Sequence, residues 1–102
     1  MTIKCYEPKG GAPKNLAANV EILLDGELAG LKLAGISVWK SDAGYSATMP
    51  SRAYTGKDGE QKHYDYLRGI GQDSAAIKLL KGKIVDAFRE QMGIHDDEPS
   101  PF

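Results

Sequence analysis

Apolar and polar residues alternate over residues 16–24, the clearest pattern in the first part of the chain. Five apolar residues share one parity, whereas Asn19 and Glu21 have the other. A period of two residues is typical of a strand that is buried on one side only. We therefore predict a strand whose core-facing residues are Leu16, Ala18, Val20, Ile22 and Leu24. Residues 2–6 also have the composition of a strand.

The next apolar stretch alternates as well, but its phase slips by one residue in the middle. Leu31 and Leu33 have one parity, and Ile36 and Val38 have the other. A β-bulge adds one unpaired residue to a strand and so restores the phase. We predict such a bulge near residues 34–35, which would place all four apolar side chains on the same face.

Two shorter stretches predict further strands. Residues 45–49 follow a glycine turn, and Pro50 stops this third strand or marks it as an edge. Residues 62–67 are predicted to pair as another strand, with Tyr64 and Tyr66 on one side.

The apolar period changes from two to about 3.6 over residues 74–92, which predicts one amphipathic helix. Asp73 or Ser74 would cap its start, and Gly93 would supply a left-handed cap at its end. Lys81 falls inside the apolar stripe, where it would either extend its charge to water or contact a partner. The stripe consists of Ile77, Leu80, Ile84, Val85, Phe88 and Met92.

Strands followed by a single helix indicate an α+β fold: an antiparallel four- to five-stranded meander with one C-terminal helix. We divide the chain into an N-terminal strand and Gly/Pro-rich arm (1–15), the α+β domain (16–93) and a disordered acidic tail (94–102). One helix leaves a sheet face or edge uncovered, so we expect a homodimer formed through the sheet.

Composition and charge narrow the function classes. The chain has 102 residues and a net charge of −1, but residues 52–89 carry eight Lys and Arg against five Asp and Glu. A single cysteine, Cys5, fits a reducing compartment, and no apolar run approaches the roughly 20 residues that span a bilayer. No signal-peptide pattern is present. We expect a cytoplasmic protein without a membrane partner.

Catalytic and metal-binding patterns are weak. Ser51, His63 and Asp65 supply the residue types of a nucleophilic site, but nothing in their spacing places them together. Cys5, His63 and the 95–97 His-Asp-Asp run lack the spacing of a metal site. We therefore predict no enzyme, no metal, no cofactor and no small-molecule substrate.

Residues 69–74 form a Gly-containing segment that leads into the predicted helix. Backbone N–H groups at a helix start can hold a phosphate, but the full phosphate-binding fingerprints are missing. A plain turn with a helix cap is the favoured interpretation of this segment, and an incidental contact with a backbone phosphate of DNA or RNA would still fit.

Basic residues near tyrosines give the strongest functional signal. Such residues neutralise phosphates, and tyrosine rings stack on unpaired bases. On composition alone, the favoured interpretation is that the tyrosines are core residues or cross-strand pairs and that the charges solvate a loop. The candidate nucleic-acid-binding residues are Arg52, Lys57, Lys62, Arg68, Tyr54 and Tyr64, extended on the helix by Lys78 and Lys81.

Two short motifs, Met-Pro-Ser-Arg at 49–52 and Asp-Gly-Glu at 58–60, occur in a wider pattern. Together with the strand ending at Asp25, the second strand and the closing helix, they resemble the SpoVG family (stage V sporulation protein G), bacterial regulators of sporulation and septation. The resemblance covers about residues 16–92. The chain departs from the family in its N-terminal extension, around residues 27–30, and in Leu-Arg-Gly-Ile-Gly at 67–71.

The resemblance implies a homodimeric sheet-and-helix protein that binds DNA and also RNA through the basic loop after the Met-Pro pair. Carried onto this chain, it implicates Arg52 and, less directly, Lys57, Lys62 and the helix lysines. We therefore expect a regulatory nucleic-acid-binding protein without catalysis. The alternative is a protein–protein interaction module that uses an exposed sheet edge.

Overall fold

The computed structural model of the chain describes residues 1–70 and 75–94, which form six strands, a short 3-10 turn at Gly26–Leu28 and one helix. The predicted N-cap residues Asp73 and Ser74 and the predicted tail from residue 95 onward lie outside the described residues. The elements are β1 (Thr2–Tyr6), β2 (Leu16–Leu23), β3 (Lys32–Ser41), β4 (Gly44–Thr48), β5 (Ser51–Thr55), β6 (Gln61–Asp65) and α1 (Ala75–Met92).

The first four strands form one antiparallel sheet in chain order, β1-β2-β3-β4, and α1 packs on one face of it. This arrangement confirms the predicted α+β class and the meander. β5 and β6 pair only with each other and make a separate two-stranded sheet. The segment predicted at 62–67 is therefore a strand of a hairpin and does not join the main sheet.

The alternating pattern of β2 produces the expected burial. Ala18, Val20 and Ile22 are buried, whereas Asn19 between them is exposed. β1 lies against β2 along its whole length, with Ile3 opposite Ile22. The N-terminal strand therefore belongs to the same sheet as the rest of the domain.

The bulge predicted in the third apolar stretch is confirmed. Val20 lies opposite Ile36 and Ile22 opposite Leu33, so β3 has one more residue than β2 between these two pairs. Ile36 is buried with Val38, and Leu33 packs against the core. Leu31 precedes β3 at the turn and stays 57% exposed, so it contributes little to the core.

The helix places five of the six residues of its predicted apolar stripe on the core, Ile77 being the exception. Ile84 and Phe88 are buried, and Leu80, Val85 and Met92 pack around them. Gly93 has φ 71°, and the Ile94 N–H donates to the Arg89 carbonyl at 2.8 Å. This left-handed glycine with its return hydrogen bond confirms the predicted C-terminal cap.

The outer side of β1 is covered by one side chain of the helix. Gln91 donates from Nε2 to the Ile3 carbonyl at 2.8 Å and accepts from the Cys5 N–H at 3.0 Å. The amide thus takes the place of a neighbouring strand at this sheet edge. β4 forms the other edge, and no strand in the described part of the chain pairs with its outer side.

Candidate nucleic-acid interface

The β5–β6 hairpin, Ser51–Asp65, projects from the sheet-and-helix body. All ten residues of its two strands are exposed. Met49 just before it is buried, and Leu67 just after it packs against the core, so both ends are anchored. The Tyr66 N–H donates to the Pro50 carbonyl at 2.8 Å and continues the ladder to the base of the hairpin.

Four of the predicted site residues share one face of the hairpin. Arg52 lies opposite Tyr64, and Tyr54 lies opposite Lys62. Directly paired residues point to the same side of an antiparallel sheet, as do residues two apart along a strand. We refer to Arg52, Tyr54, Lys62 and Tyr64 as the basic–aromatic face.

Lys57 lies in the turn at the tip of the hairpin. The Gly56 N–H donates to the Glu60 carbonyl at 2.8 Å, and the Gly59 N–H donates to the Gly56 carbonyl at 3.0 Å. Gly59 has φ 82°, and the Asp58 carboxylate accepts the Glu60 N–H at 3.1 Å. These bonds fix a tight three-residue turn that ends in a left-handed glycine.

Lys62 runs from the strand toward this turn. A Cβ on Gly56 would fall 2.9 Å from Lys62 Cε, so the stem of the lysine lies across the glycine. The ammonium of Lys62 is therefore presented near the tip, on the same hairpin end as Lys57.

Arg68 joins the basic–aromatic face after the chain leaves β6. Its Nη2 donates to the Tyr64 hydroxyl at 2.9 Å, and its Cζ lies 4.5 Å from the centre of the Tyr64 ring. Arg52 Cζ lies 6.0 Å from the same ring centre, and the Tyr66 ring meets Tyr64 edge-on at 6.2 Å. Tyr66 was not among the predicted binding residues, although its parity with Tyr64 already placed it on this side.

The described part of the chain supplies no acidic ion-pair partner to the cations around the hairpin. Within residues 1–70 and 75–94, no carboxylate lies within ion-pair distance of the basic residues of this region. Asp65 occupies the opposite face of the hairpin, because it pairs with Ser51. The cations concerned are Arg52, Lys57, Lys62 and Arg68.

Ion pairs form elsewhere on the sheet instead. Glu21 holds the Lys32 ammonium at 3.0 Å, and this hydrogen bond raises the pKa of Lys32. The Asp25 carboxylate accepts a hydrogen bond from the N-terminal ammonium at 2.6 Å, which lowers the pKa of Asp25.

The two predicted helix cations lie apart from this face. Lys81 is half-buried and lines a cleft at the hairpin base with Trp39, His63 and Asp65. Since His63 and Asp65 lie on the reverse of the hairpin, Lys81 faces the side opposite to Arg52. Lys78 is exposed on α1 and belongs to neither face of the hairpin.

The same register corrects one sequence-based interpretation. Ser51 and Asp65 are directly paired, and His63 follows on the same face, so the fold does place these three residues together. This proximity was not predicted because β5 was not recognised as a strand. Within the part of the chain that the structure describes, no hydrogen bond joins the three side chains.

Among the described residues, no cluster of three or more His, Cys, Asp or Glu side chains could hold a metal ion. The His95, Asp96 and Asp97 run lies outside the described residues, and so does most of the 69–74 segment.

No helix in the described ranges combines the length and the hydropathy that are needed to cross a lipid bilayer.

Comparison with known proteins returned no match: no family model fits the chain, and no curated protein or solved structure is similar to it.

Proposed function

We propose that this chain is a nucleic-acid-binding regulatory protein that acts without catalysis and contacts DNA or RNA through the hairpin. The observation that carries the proposal is the shared exposed face of Arg52, Tyr54, Lys62 and Tyr64. Its cations have no carboxylate partner in the described ranges, so they remain available to phosphates.

Each side chain has a defined task in this proposal. Arg52 and Lys62 bind backbone phosphates, and Lys57 at the tip adds a third cation. Tyr54, which is 42% exposed, stacks on an unpaired base. Lys78 and Lys81 extend the footprint only if the nucleic acid passes around the base of the hairpin to the helix.

The resemblance to the SpoVG family supports the same surface. The Met-Pro-Ser-Arg motif leads directly into β5, and Asp-Gly-Glu forms the turn at the tip. Both motifs therefore fall in the hairpin that carries the basic–aromatic face. The same proposal places the chain in the cytoplasm, where a single reduced cysteine is stable.

A salt series tests the proposal. Short single-stranded DNA and RNA are labelled, and their binding is followed by fluorescence anisotropy from low to physiological salt. Three phosphate contacts predict a slope of about −2 for log K against log salt, since each contact to a single strand contributes about −0.7. Absence of binding at low salt, or affinity that does not change with salt, would overturn the proposal.

Lys14→Ala provides a matched control for Arg52→Ala. Lys14 lines a groove with Met92 and Ile94 at the C-terminal end of α1, whereas Lys81 near the hairpin lies about 16 Å earlier along the helix. Both variants remove one positive charge. We expect Arg52→Ala to weaken binding and flatten the salt slope, and Lys14→Ala to leave both close to the unmodified protein.

A second candidate function is protein binding through the outer edge of β4. The edge at β1 is covered by Gln91, so β4 is the edge to which a further strand would add. We propose a second copy of this chain as the partner, giving a homodimer through the sheet; another protein is the alternative.

Ser46→Lys tests this edge, because Ser46 is exposed in the middle of β4. In a two-fold interface the same residue occurs on both sides, so one substitution brings two like charges to the contact. Light scattering is expected to show a dimer for the unmodified chain and a monomer for the variant. If the unmodified chain is a monomer at all concentrations, the homodimer is overturned. A pull-down would then test for another protein that binds the β4 edge.

A further inference from the structure

Arg52 and Arg68 each place a guanidinium near the ring of Tyr64. Arg68 is bonded to the Tyr64 hydroxyl and lies 4.5 Å from the ring centre, and Arg52 lies 6.0 Å from that centre. We propose that this group is a binding site for a single phosphate, in which the two guanidiniums hold the oxygens and Tyr64 is the positioning residue.

Tyr64 is better placed to orient arginines than to stack on a base. A guanidinium that lies over an aromatic face is held there by attraction to the ring, and the hydroxyl fixes the rotation of Arg68. The ring is thus already engaged by the protein. Base stacking is left to Tyr54, which has no such contact in the described part of the chain.

Phosphate is the ligand that the donor set favours. Each guanidinium offers five N–H donors in a planar fork, and the hydrogen bond to Tyr64 uses one donor of Arg68. Two like charges on one ring repel each other, and no carboxylate of residues 1–70 or 75–94 neutralises them. An anion with several oxygens relieves this repulsion and occupies both forks, whereas a carboxylate has only two oxygens to share.

The inference deepens the proposed function and rests on it only for the source of the phosphate, which is a nucleic-acid backbone. The site itself is tested separately with inorganic phosphate. The sequence contains three arginines, Arg52, Arg68 and Arg89, so their side-chain Nε–Hε signals are few and can be assigned by single substitutions. Arg89 Cζ also lies over a tyrosine, Tyr45, at 5.7 Å, but no second arginine shares that ring.

Titration of the full chain with inorganic phosphate, followed by NMR, is the first arm. We expect the signals of Arg52 and Arg68 to shift together with one dissociation constant, and the signal of Arg89 to stay in place. Equal small shifts of all three arginines, or no shift of Arg52 and Arg68, would overturn the site.

Charge-conserving variants form the second arm, measured with a single-stranded oligonucleotide. Arg68→Lys keeps the charge but loses the planar fork, so we expect the salt slope to be unchanged and the affinity to fall about threefold or more. Tyr64→Leu removes the ring and the hydroxyl without any change of charge, and a similar loss is expected. Tyr64→Phe keeps the ring but loses the hydroxyl, so its affinity should lie between that of the unmodified chain and that of Tyr64→Leu.

The two arms separate this inference from the proposed function. Phosphate binding at Arg52 and Arg68 without oligonucleotide binding would retain the site and overturn the nucleic-acid function. Oligonucleotide binding with the expected salt slope, but with Arg68→Lys and Tyr64→Leu equal to the unmodified chain, would retain that function and overturn the site.

Discussion

Gly35, at the bulge of β3, links the sheet to the start of the hairpin. Its φ is 88°, and a Cβ at this position would lie 3.0 Å from Cβ of Pro50. The phase slip in the sequence predicted the bulge, because bulged strands change parity. The contact with Pro50 could not be predicted, since it joins two positions fifteen residues apart without any periodic signal.

Gly35→Ala is expected to destabilise the fold by about 2 kcal/mol, because the alanine must adopt a left-handed backbone and press on Pro50. Urea unfolding followed by circular dichroism measures the change as a lower midpoint. An unchanged midpoint would show that the bulge relaxes without cost.

Gly82→Ala is the matched control for this substitution. Gly82 lies within α1, and nothing lies within 4 Å of a Cβ added there. Alanine favours the helix over glycine by about 1 kcal/mol, so the same assay should show a higher midpoint.

The thiol of Cys5 gives a second test at the scale of one residue. Burial raises the pKa of Cys5, so a smaller fraction is thiolate at pH 8 than for a free cysteine. We expect Ellman's reagent to react about threefold or more slowly with the folded chain than with the chain in urea. The difference between the two reaction rates should become smaller as the pH rises above the raised pKa of Cys5. Equal rates at pH 8 would contradict the burial of the Cys5 thiol.

At the scale of elements, how well a strand could be predicted depended on its burial. β2 and the helix were predicted because one face of each is buried and the other is not. β5 was missed because both of its faces are exposed, so burial imposes no alternation on its sequence. Gln91 gave no signal either, since a single polar residue near a helix end has many possible roles.

Gln91→Ala should loosen the β1 edge without unfolding the sheet. The substitution removes two hydrogen bonds of the β1 backbone, worth about 1 kcal/mol together because they are exposed. Hydrogen exchange measured by NMR is expected to show faster exchange of the Cys5 amide. Gln91→Glu keeps the acceptor and should protect that amide better than alanine does.

At the scale of the whole molecule, the chain separates a packed body from a projecting hairpin. The core of the described residues lies mainly between the four-stranded sheet and α1, with Met49 and Leu67 added from the hairpin base. The α+β class could be predicted from the sequence, and so could most of the candidate cations that the hairpin carries. The sequence could not predict that Lys81 lies on the side of the hairpin opposite to Arg52. That placement follows from the hairpin register, which depends on β5.

Replacing residues 52–64 by a short Gly-Ser linker is therefore expected to leave the body folded and to abolish nucleic-acid binding. The hairpin strands are exposed and share no ladder with the sheet, whereas Met49 and Leu67 keep their contacts with the core. Circular dichroism and an amide NMR spectrum check the fold, and anisotropy checks binding. An unfolded product would show that the hairpin supports the body.

The side chain of Gln91 also limits how many copies could associate by strand addition. If two copies join through β4, the outermost strand on each side of the combined sheet is β1, and both are already occupied by a glutamine amide. Strand addition at the two β1 edges of such a combined sheet would have to displace Gln91 from the Ile3 carbonyl and the Cys5 N–H, so we expect association through this sheet to stop at two copies.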